Sequence, residues 1–446
     1  MTNIRTFLRI VALGLCIAAG TTQMTKAQTW DCGANGNNLT ATLKDSTLTV
    51  TGIGAMANYH GEGGEAPWWA DKYSIANIVI EDGVTTIGNI AFAACEKATS
   101  AIIGNGVTTI GTNAFQSCGS LTSIIIPNSV VTMGDGAFGL CRKLSSATIG
   151  SGVTTIGNQA FMGTGLTSIT IPDNVISMGY STFQNCISLI SATISNNITS
   201  IGRSTFSSCS KLTSIIIPDS VTVIGREAFG GCSSLTSIII SDNVDSIGYS
   251  AFGGCSKLTS IVISNSVTSI GDYAFNVCSG LTSLTIGNGV TSIGNGAFQS
   301  CSKLALVTVQ WAEPLSISSG VFSGVTLSKV KLCVPEGTKE KYASADVWEK
   351  FNPIEECDGV GIAETHRNAS VRVYPNPTTG QLTISLPNPS EGGAYTAENV
   401  EIYDVVGQNV GAYPCGRPEM TIDISHLASG MYFLKVGNKT ARFMKE

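Results

Sequence analysis

The chain has 446 residues, of which 13% are charged, and its formal net charge is −6 at pH 7. This length predicts two or three domains. The 25 basic residues are scattered along the chain. A weakly acidic, charge-poor chain without a basic patch excludes an electrostatic nucleic-acid binder, so we expect no nucleic-acid partner.

The first 27 residues have the pattern of a signal peptide. Arg5 and Arg9 form its positive end, and the apolar stretch 10–19 that follows is too short to span a bilayer. We expect cleavage after Ala27. Because no later segment is long and apolar enough to cross a membrane, the sequence predicts an exported, soluble mature protein.

Residues 28–82 are predicted to form an N-terminal β cap on the repeats that follow. Alternating polarity over residues 39–43 and 47–51, around a short turn, predicts a β-hairpin. Trp68 and Trp69 come after it and have two interpretations. They form either a lid over the open end of a repeat array or an aromatic platform for a ligand, and we favour the lid because open ends expose unpaired strand groups.

Residues 83–311 repeat one pattern ten times, and a phenylalanine marks each copy. Every step between these phenylalanines is 23 residues, except the 22-residue step from Phe161 to Phe183. A fixed period of this size predicts a solenoid, in which stacked coils form one continuous core. The phenylalanines are Phe92, Phe115, Phe138, Phe161, Phe183, Phe206, Phe229, Phe252, Phe275 and Phe298.

Each copy predicts two strands. In the copy that begins at Phe229, the β-branched segment 235–240 predicts a first strand with Leu235, Ile238 and Ile240 pointing inward. The apolar residues of segment 244–247 predict a second, shorter strand. Equivalent strands of successive coils should pair in parallel, and the preference of parallel crossovers predicts a right-handed coil.

The segment between the second strand and the next coil carries a glycine and a predicted turn. Glycine stands four residues before the phenylalanine in all ten copies, which predicts a positive φ or a close backbone approach. Residues 251–255 are too few for a free-standing helix and are predicted to form one helical or 3₁₀ turn.

Nine cysteines lie three positions after a phenylalanine, and Thr164 takes this place in the short copy. In a parallel ladder their Cβ atoms would be ~4.8 Å apart. That is wider than disulfide geometry, and a line of single thiols does not surround a metal. We therefore expect buried free thiols, and we expect no metal or other cofactor.

The outward positions of the first strands hold two columns, one of serine and one of isoleucine, valine or threonine. An exposed apolar patch on such a surface indicates an interaction site. The alternative is that β-branched residues simply stabilise strands, and the sequence leaves both open. The candidate ligand-binding residues are Ile125, Ile216, Ile239, Val262, Ser214, Ser237 and Ser260.

Residues 312–357 are predicted to close the array. Phe322 marks a degenerate last copy, and segment 345–351 predicts a short amphipathic helix with Trp348 and Phe351 on one side. Cys333 and Cys357 flank this C-terminal cap, and a disulfide between them is one possibility. The polar segment 358–370 is a predicted linker. Beyond it, residues 371–446 contain about seven short strand patterns, which suggests a small β-sandwich.

Two sequence patterns resemble known families. Over residues 83–311, the pattern L-T-S-I-x-I-P-x-x-V-T-x-I-G-x-x-A-F-x-x-C resembles the BspA-type leucine-rich repeat of bacterial surface proteins. The resemblance implies a β-rich, right-handed leucine-rich-repeat solenoid of parallel sheets with short helical turns. Residues 371–446 are similar to the C-terminal sorting domain of the Bacteroidetes type IX secretion system, through Y-P-N-P-x-x-G, I-Y-D-V-x-G and L-A-S-G-M-Y-F-L-K-V. This second resemblance implies handling by the type IX machinery, passage across the outer membrane, and usually removal of the domain.

No motif in the sequence points to catalysis. The three histidines all lie outside the repeats, and there is no G-x-S-x-G, H-E-x-x-H or phosphate loop. The resemblances instead imply a monomeric adhesin at the cell surface or outside the cell. Its expected partners are host extracellular matrix or plasma proteins, or other bacterial surfaces. The alternatives are a structural surface-layer component without a dedicated ligand and, more weakly, an ice- or crystal-binding array.

Overall fold

The computed structural model describes most of the chain from residue 27 onward. The described residues are 27–61, 63–357, 372–374, 381–385, 399–404, 409–414, 419–427, 430–436 and 439–445. The predicted signal peptide, apart from Ala27, and the linker 358–370 lie outside them, as does Cys415.

The N-terminal region begins with an antiparallel meander. Strand β1 (Gln28–Gly33) pairs with β2 (Gly36–Lys44), and β2 pairs with β3 (Thr47–Gly52), which confirms the predicted hairpin. β3 then pairs in parallel with β5 (Asn77–Ile80), so the meander is continuous with the sheet of the first coils. The short strand β4 (Gly54–Ala55) starts a second sheet.

Each coil contributes two strands that pair in parallel with the equivalent strands of its neighbours. The first strands begin with β5 and continue as β7 (Ser100–Ile103), β9 (Ser123–Ile125), β11 (Ser146–Thr148), β13 (Ser168–Thr170), β15 (Ser191–Thr193), β17 (Ser214–Ile216), β19 (Ser237–Ile239), β21 (Ser260–Ile263), β23 (Ser283–Ile286) and β25 (Leu306–Val309). The second strands are β6 (Val84–Ile87), β8 (Thr109–Ile110), β10 (Thr132–Met133), β12 (Thr155–Ile156), β14 (Ser177–Met178), β16 (Ser200–Ile201), β18 (Val223–Ile224), β20 (Ser246–Ile247), β22 (Ser269–Ile270) and β24 (Ser292–Ile293).

The strand interiors are as predicted. Leu235, Ile238 and Ile240 are buried, and so are Val244 and Ile247, although the strands themselves, β19 and β20, are shorter than the predicted segments 235–240 and 244–247. The parallel pairing is in register, so each inward residue stacks on its equivalent one coil away. The right-handedness of the coil stays a prediction.

The second strands form two sheets instead of one. The first has the order β14-β12-β10-β8-β6-β4 and the second β16-β18-β20-β22-β24. The ladder is therefore interrupted between β14 and β16. The first strands bridge this interruption, because β13, β15 and β17 pair continuously.

The prediction of a helical turn in each repeat is wrong. Across residues 248–255 the chain makes consecutive turns, in which Ser250 and Gly254 have left-handed φ angles of 49° and 75°. A right-handed helix cannot contain such residues. The amides of Ser250, Phe252 and Gly254 donate to carbonyls of the next coil at 2.7–2.9 Å, while the amides between them donate back within the turn. Every second amide of the turn therefore bonds coil to coil.

The repeated glycine serves close approach, and the positive-φ alternative is wrong. None of the ten lies among the residues with positive φ. A Cβ on Gly271 would lie 2.7 Å from the backbone carbon of Gly248 and the backbone nitrogen of Tyr249. Gly202 is an exception, since a Cβ there would be 3.4 Å from its nearest neighbour, Oγ1 of Thr205. The ladder interruption between β14 and β16 lies directly before Gly202. It explains why the space around a Cβ at Gly202 is larger than at the other repeat glycines.

A stack of aromatic rings runs through the core beside the aliphatic and cysteine columns. The repeat phenylalanines, continued by Phe322, stack with centroids 5.1–5.6 Å apart. Trp68 extends the stack at the N-terminal end, 5.7 Å from Phe92, and donates from Nε1 to the carbonyl of Ala91. Trp68 is therefore a buried lid residue and not a ligand platform. Trp69 starts a 3₁₀ helix (Trp69–Asp71) and is half-buried, with Lys72 Nζ 3.3 Å from its ring centroid.

The repeat cysteines are free and buried, as predicted. Eight of them, from Cys118 to Cys301, donate from Sγ to the phenylalanine carbonyl of the preceding coil at 3.1–3.3 Å. Burial raises the pKa of the Cys232 thiol to about 12. Cys32, outside the repeats, is also free and buried.

The C-terminal cap differs from the sequence prediction. The helix lies earlier than predicted, in α1 (Lys339–Ala343), and segment 345–351 holds only a 3₁₀ helix (Trp348–Lys350). A left-handed residue, Val347 at φ 70°, prevents one continuous helix. Trp348 and Phe351 are nevertheless both buried against the end of the core, with their rings 5.8 Å apart.

Three further elements complete this cap. A 3₁₀ helix (Leu327–Lys329) precedes β26 (Lys331–Val334), which pairs in parallel with β25 and with β27 (Ile354–Glu356). Cys333 and Cys357 form a disulfide.

The described residues of the C-terminal region include seven strands, which form small sheets as predicted. They form two antiparallel sheets, β28-β29-β32 and β31-β30-β33-β34, and side chains from both sheets share one hydrophobic cluster. The strands are β28 (Arg372–Tyr374), β29 (Gln381–Ser385), β30 (Asn399–Asp404), β31 (Asn409–Pro414), β32 (Glu419–Asp423), β33 (Gly430–Val436) and β34 (Lys439–Lys445).

Candidate ligand-binding surface

The candidate surface is the outer face of the first strands, which we call the first-strand face. It consists of the residues eight and ten positions after each repeat phenylalanine (seven and nine after Phe161), on strands β7 to β25. None of these outward residues is charged. A partner can therefore cover the face without the energetic cost of desolvating a charged side chain.

The structure brings four of the predicted residues together. β17 and β19 pair in register, so Ser214 lies beside Ser237 and Ile216 lies beside Ile239. Ile216 is half-buried. The backbone thus places two apolar residues and two serines on adjacent coils, as the sequence predicts.

Val262 and Ser260 continue this set on the next coil, but in a different sheet. Val262 is exposed, and β21 pairs with β23 rather than with β19 in the ladder. The coils of β19 and β21 are connected here by the amide of Thr259, which donates to the carbonyl of Thr236 at 3.3 Å. The predicted patch therefore spans the junction of two sheets.

Ile125 lies apart from the other candidates. It is 69% exposed, and three coils that carry threonine at the equivalent position separate it from Ile216. Its neighbour is Ile102 of the preceding coil, which is 48% exposed. This N-terminal pair was not predicted as a patch, although isoleucine at the same position of two consecutive copies was a detectable signal.

Hydroxyl groups beside the face hold the coils in register. One position before the serine column, Thr236 donates from Oγ1 to the carbonyl of Thr213 at 3.2 Å, and Thr282 donates to that of Thr259 at 2.9 Å. Each side chain thus adds a bond between coils to those of the backbone. A partner would therefore meet a surface that is already ordered, which lowers the entropic cost of binding.

Two features are absent from the described residues: a helix that could span a membrane and a side-chain cluster that could hold a metal ion. In the stretches that the structure describes, no helix has the length and apolar character of a membrane span. Nor do the described residues contain a cluster of three or more His, Cys, Asp or Glu side chains arranged to hold a metal ion.

Comparison with known families gives two matches. A family model described as a BspA type leucine rich repeat region (6 copies) matches residues 68–190, 132–256, 176–305 and 222–340, which together span more than half of the chain. A second model, described as a secretion system C-terminal sorting domain, matches residues 372–446.

Several solved structures are similar to this chain. A leucine-rich repeat protein from Eubacterium ventriosum is 22% identical, with 68% of this chain and 95% of that chain covered and a TM-score of 0.44. A leucine rich cell surface protein from Faecalibacterium prausnitzii is 27% identical, with 64% and 95% covered and a TM-score of 0.36. The pneumococcal vaccine antigen PcpA is 18% identical, with 73% and 97% covered and a TM-score of 0.42. No curated protein matches the chain.

The two family matches lie on the two structurally distinct parts of the chain. The repeat match, from residue 68 to residue 340, falls on the parallel coils and parts of their caps, and the sorting-domain match falls on strands β28 to β34. A sorting domain of this kind indicates export by a type IX secretion system to the cell surface. The chain belongs to the BspA-type leucine-rich repeat family, and it ends in a secretion system C-terminal sorting domain.

Proposed function

We propose that this protein is an adhesin of a Bacteroidetes-type bacterium, exported through the outer membrane to the cell surface or beyond it. In this proposal a monomer binds host extracellular matrix or plasma proteins, or other bacterial surfaces. The observation that supports it most is the first-strand face, which is ordered, uncharged and partly apolar. Apolar patches of this kind mark sites of protein contact.

The contact is expected to centre on Ile216, Ile239 and Val262, with Ser214, Ser237 and Ser260 beside them. Apolar side chains in the middle and hydroxyl groups around them are the usual anatomy of a protein interface. Val262 is an exposed member of this set, and covering a fully exposed side chain of its size contributes up to ~1.5–3 kcal/mol. Ile102 and Ile125 form a second apolar contact on the same face.

We further propose that the solenoid has no catalytic role. The cysteines are the repeated nucleophile type in its core, and burial raises the pKa of the Cys95 and Cys301 thiols to about 12. A protonated thiol is a poor nucleophile.

A capture experiment tests the binding proposal. Residues 28–357, which comprise both caps and all repeats, are used as bait for host matrix, plasma and bacterial-surface fractions. Replacing Ile216, Ile239 and Val262 together with Asp should abolish capture, because each Asp would be buried without a partner charge. Circular dichroism should remain that of the unchanged protein, because the three positions alternate with the buried strand residues Ile215, Ile238 and Ile261.

The matched control places the same three charges on the same face. Thr148, Thr170 and Thr193 occupy the equivalent outward position on three other coils, and all three are exposed. Their triple Asp variant should still capture the partner. Equal capture by both variants would place the contact elsewhere, and no capture by the unchanged protein would favour a structural surface-layer component.

A further inference from the structure

A ladder of side-chain oxygens runs along the ends of the second strands, at the residue three positions before each phenylalanine. At Asn89, Asp135, Asn158 and Asp272, the side-chain oxygen accepts the backbone amide of the equivalent residue one coil on. Asn89 accepts from Thr112 at 2.8 Å, and Asp135 accepts from Asn158 at 2.7 Å. Each bond of this kind contributes ~1 kcal/mol to the stacking of coils.

Four consecutive coils lack this ladder. They carry Tyr180, Arg203, Arg226 and Tyr249 at the position in question, and the ladder resumes at Asp272, which accepts from the amide of Asn295 at 2.7 Å. Within the described parts of the chain, the backbone amides of Arg203, Arg226, Tyr249 and Asp272 have no hydrogen-bond partner. Coil stacking alone does not favour Tyr or Arg at these four positions. Asn or Asp there would add a hydrogen bond to the next coil, and Tyr and Arg do not form this bond.

The backbone ladder is interrupted at the same place. The amides of Gly179 and Gly225 donate to the preceding coil at 2.9 and 2.8 Å, but that of Gly202, between them in sequence, has no partner among the described residues. The amides of Gly202 and Arg203 therefore form two consecutive unpartnered donors. Runs of free backbone amides are a recurrent means of binding anions.

Charged and aromatic residues occupy the same repeat position on the coils next to these donors. Arg203 is exposed and forms no ion pair within the described chain, whereas Arg226 is paired with Glu227 at 3.0 Å. The Arg226 guanidinium also lies 4.6 Å from the ring centroid of Tyr249. Tyr180 and Tyr249, at the two ends of the column, are 51% and 41% exposed. Arg203 is thus the guanidinium that is free to bind a ligand.

We propose that Tyr180, Arg203, Arg226 and Tyr249, which we call the Arg203 site, bind an acidic peptide segment of a protein partner. The neighbouring coils show the required geometry, because the carboxylates of Asp135 and Asp272 already accept the equivalent amides at 2.7 Å. A carboxylate from a partner can take this place and pair with the Arg203 guanidinium in the two-pronged manner that arginine favours. Tyrosine and arginine are also the residues that contribute most at protein interfaces.

Binding of an oligo-aspartate peptide tests the site. Fluorescence anisotropy with a fluorescein-labelled oligo-aspartate at low salt should show binding to the full chain, even though the net charge of −6 opposes it. Arg203→Ala should weaken binding about tenfold or more. Arg142→Ala is the matched control and should leave binding unchanged, because Arg142 is also exposed but lies in the turn that follows Cys141. Absence of binding to the unchanged chain, or equal binding by both variants, would overturn the proposal.

A second variant separates binding from stability. Arg203→Asn would supply a side-chain oxygen for the free amide of Arg226, as Asn89 does for Thr112. It should raise the unfolding temperature while removing peptide binding, a combination that a merely structural arginine would not produce. Lower stability with unchanged binding would refute the proposal, and so would stronger binding to polygalacturonate than to oligo-aspartate. The site lies outside the first-strand face, so its failure would leave the adhesin proposal standing.

Discussion

Two glycines of the same column provide a sharp test of how the coils are held together. In Gly271→Ala, the new methyl group would lie 2.7 Å from backbone atoms of Gly248 and Tyr249, which cannot rotate away. The coils must separate locally, and overpacking of this kind costs ~1–3 kcal/mol. In Gly202→Ala the methyl group has ordinary contact distances, and φ at Gly202 is not positive. Replacement of glycine at such a position stabilises by ~0.4–1 kcal/mol through the unfolded chain.

Both variants gain the same entropic stabilisation from replacing glycine. The difference between their free energies of unfolding therefore measures the cost of the steric clash at Gly271. Gly271→Ala should unfold at lower urea concentration than Gly202→Ala, by an amount equivalent to ~1–3 kcal/mol. Circular dichroism of the purified chain measures both midpoints, compared at the same transition because long repeat arrays need not unfold in one step. Equal midpoints would show that the coils are not in close contact at Gly271, and a less stable Gly202→Ala would contradict the gap before that residue.

Three further predictions follow from the thiols and the sorting domain. Alkylation of the unfolded, unreduced protein should label the nine repeat cysteines and Cys32 but not Cys333 or Cys357, and mass spectrometry would contradict this if it found repeat cysteines linked to each other. Burial raises the pKa of Cys232 from 9.0 to about 12 in the folded protein. The stabilisation from its burial should therefore be fully present below pH 9 and decrease above pH 9, where thiols of the unfolded chain ionise. A urea midpoint that stays constant from pH 8 to about 11 would argue against burial of the thiols. Deletion of residues 431–446 removes β33 and β34 almost completely and should trap the protein in the periplasm, whereas an unchanged amount at the cell surface, measured by antibody labelling, would show that this domain does not direct export.

The strand positions and their inward residues could be predicted from the sequence because they depend on a local pattern that recurs at one period. In a solenoid, the residue 23 positions away is the spatial neighbour, so the column of Ile238 equivalents and the column of cysteines both follow directly from the period. The same reasoning predicted that the cysteines would be free. It placed Ile216 beside Ile239 for the same reason, and their strands pair as expected.

The turns could not be predicted in the same way. Their left-handed positions are occupied by residues as different as Ser250, Tyr273 and Val277, so no residue type marks them. These residues adopt positive φ because the turn must direct alternate amides to the next coil, and the hydrogen bonds between coils compensate for the backbone strain. The sequence of a single coil does not show which of its amides bond to the next coil, so it does not identify the residues with positive φ. The helix of the C-terminal cap was misplaced for a related reason, since Val347 interrupts the segment that the apolar pattern marked as helical.

The order of the residues is enough to establish the period, the inward residues, the core cysteines and the two family resemblances, because each of these depends on which residues follow one another. The packing of the coils was needed to show where they separate and which amides lose their partners beside Arg203. These features depend on the distance between neighbouring coils. That distance is set by the packing of all columns together, so no single column of the repeat reveals it.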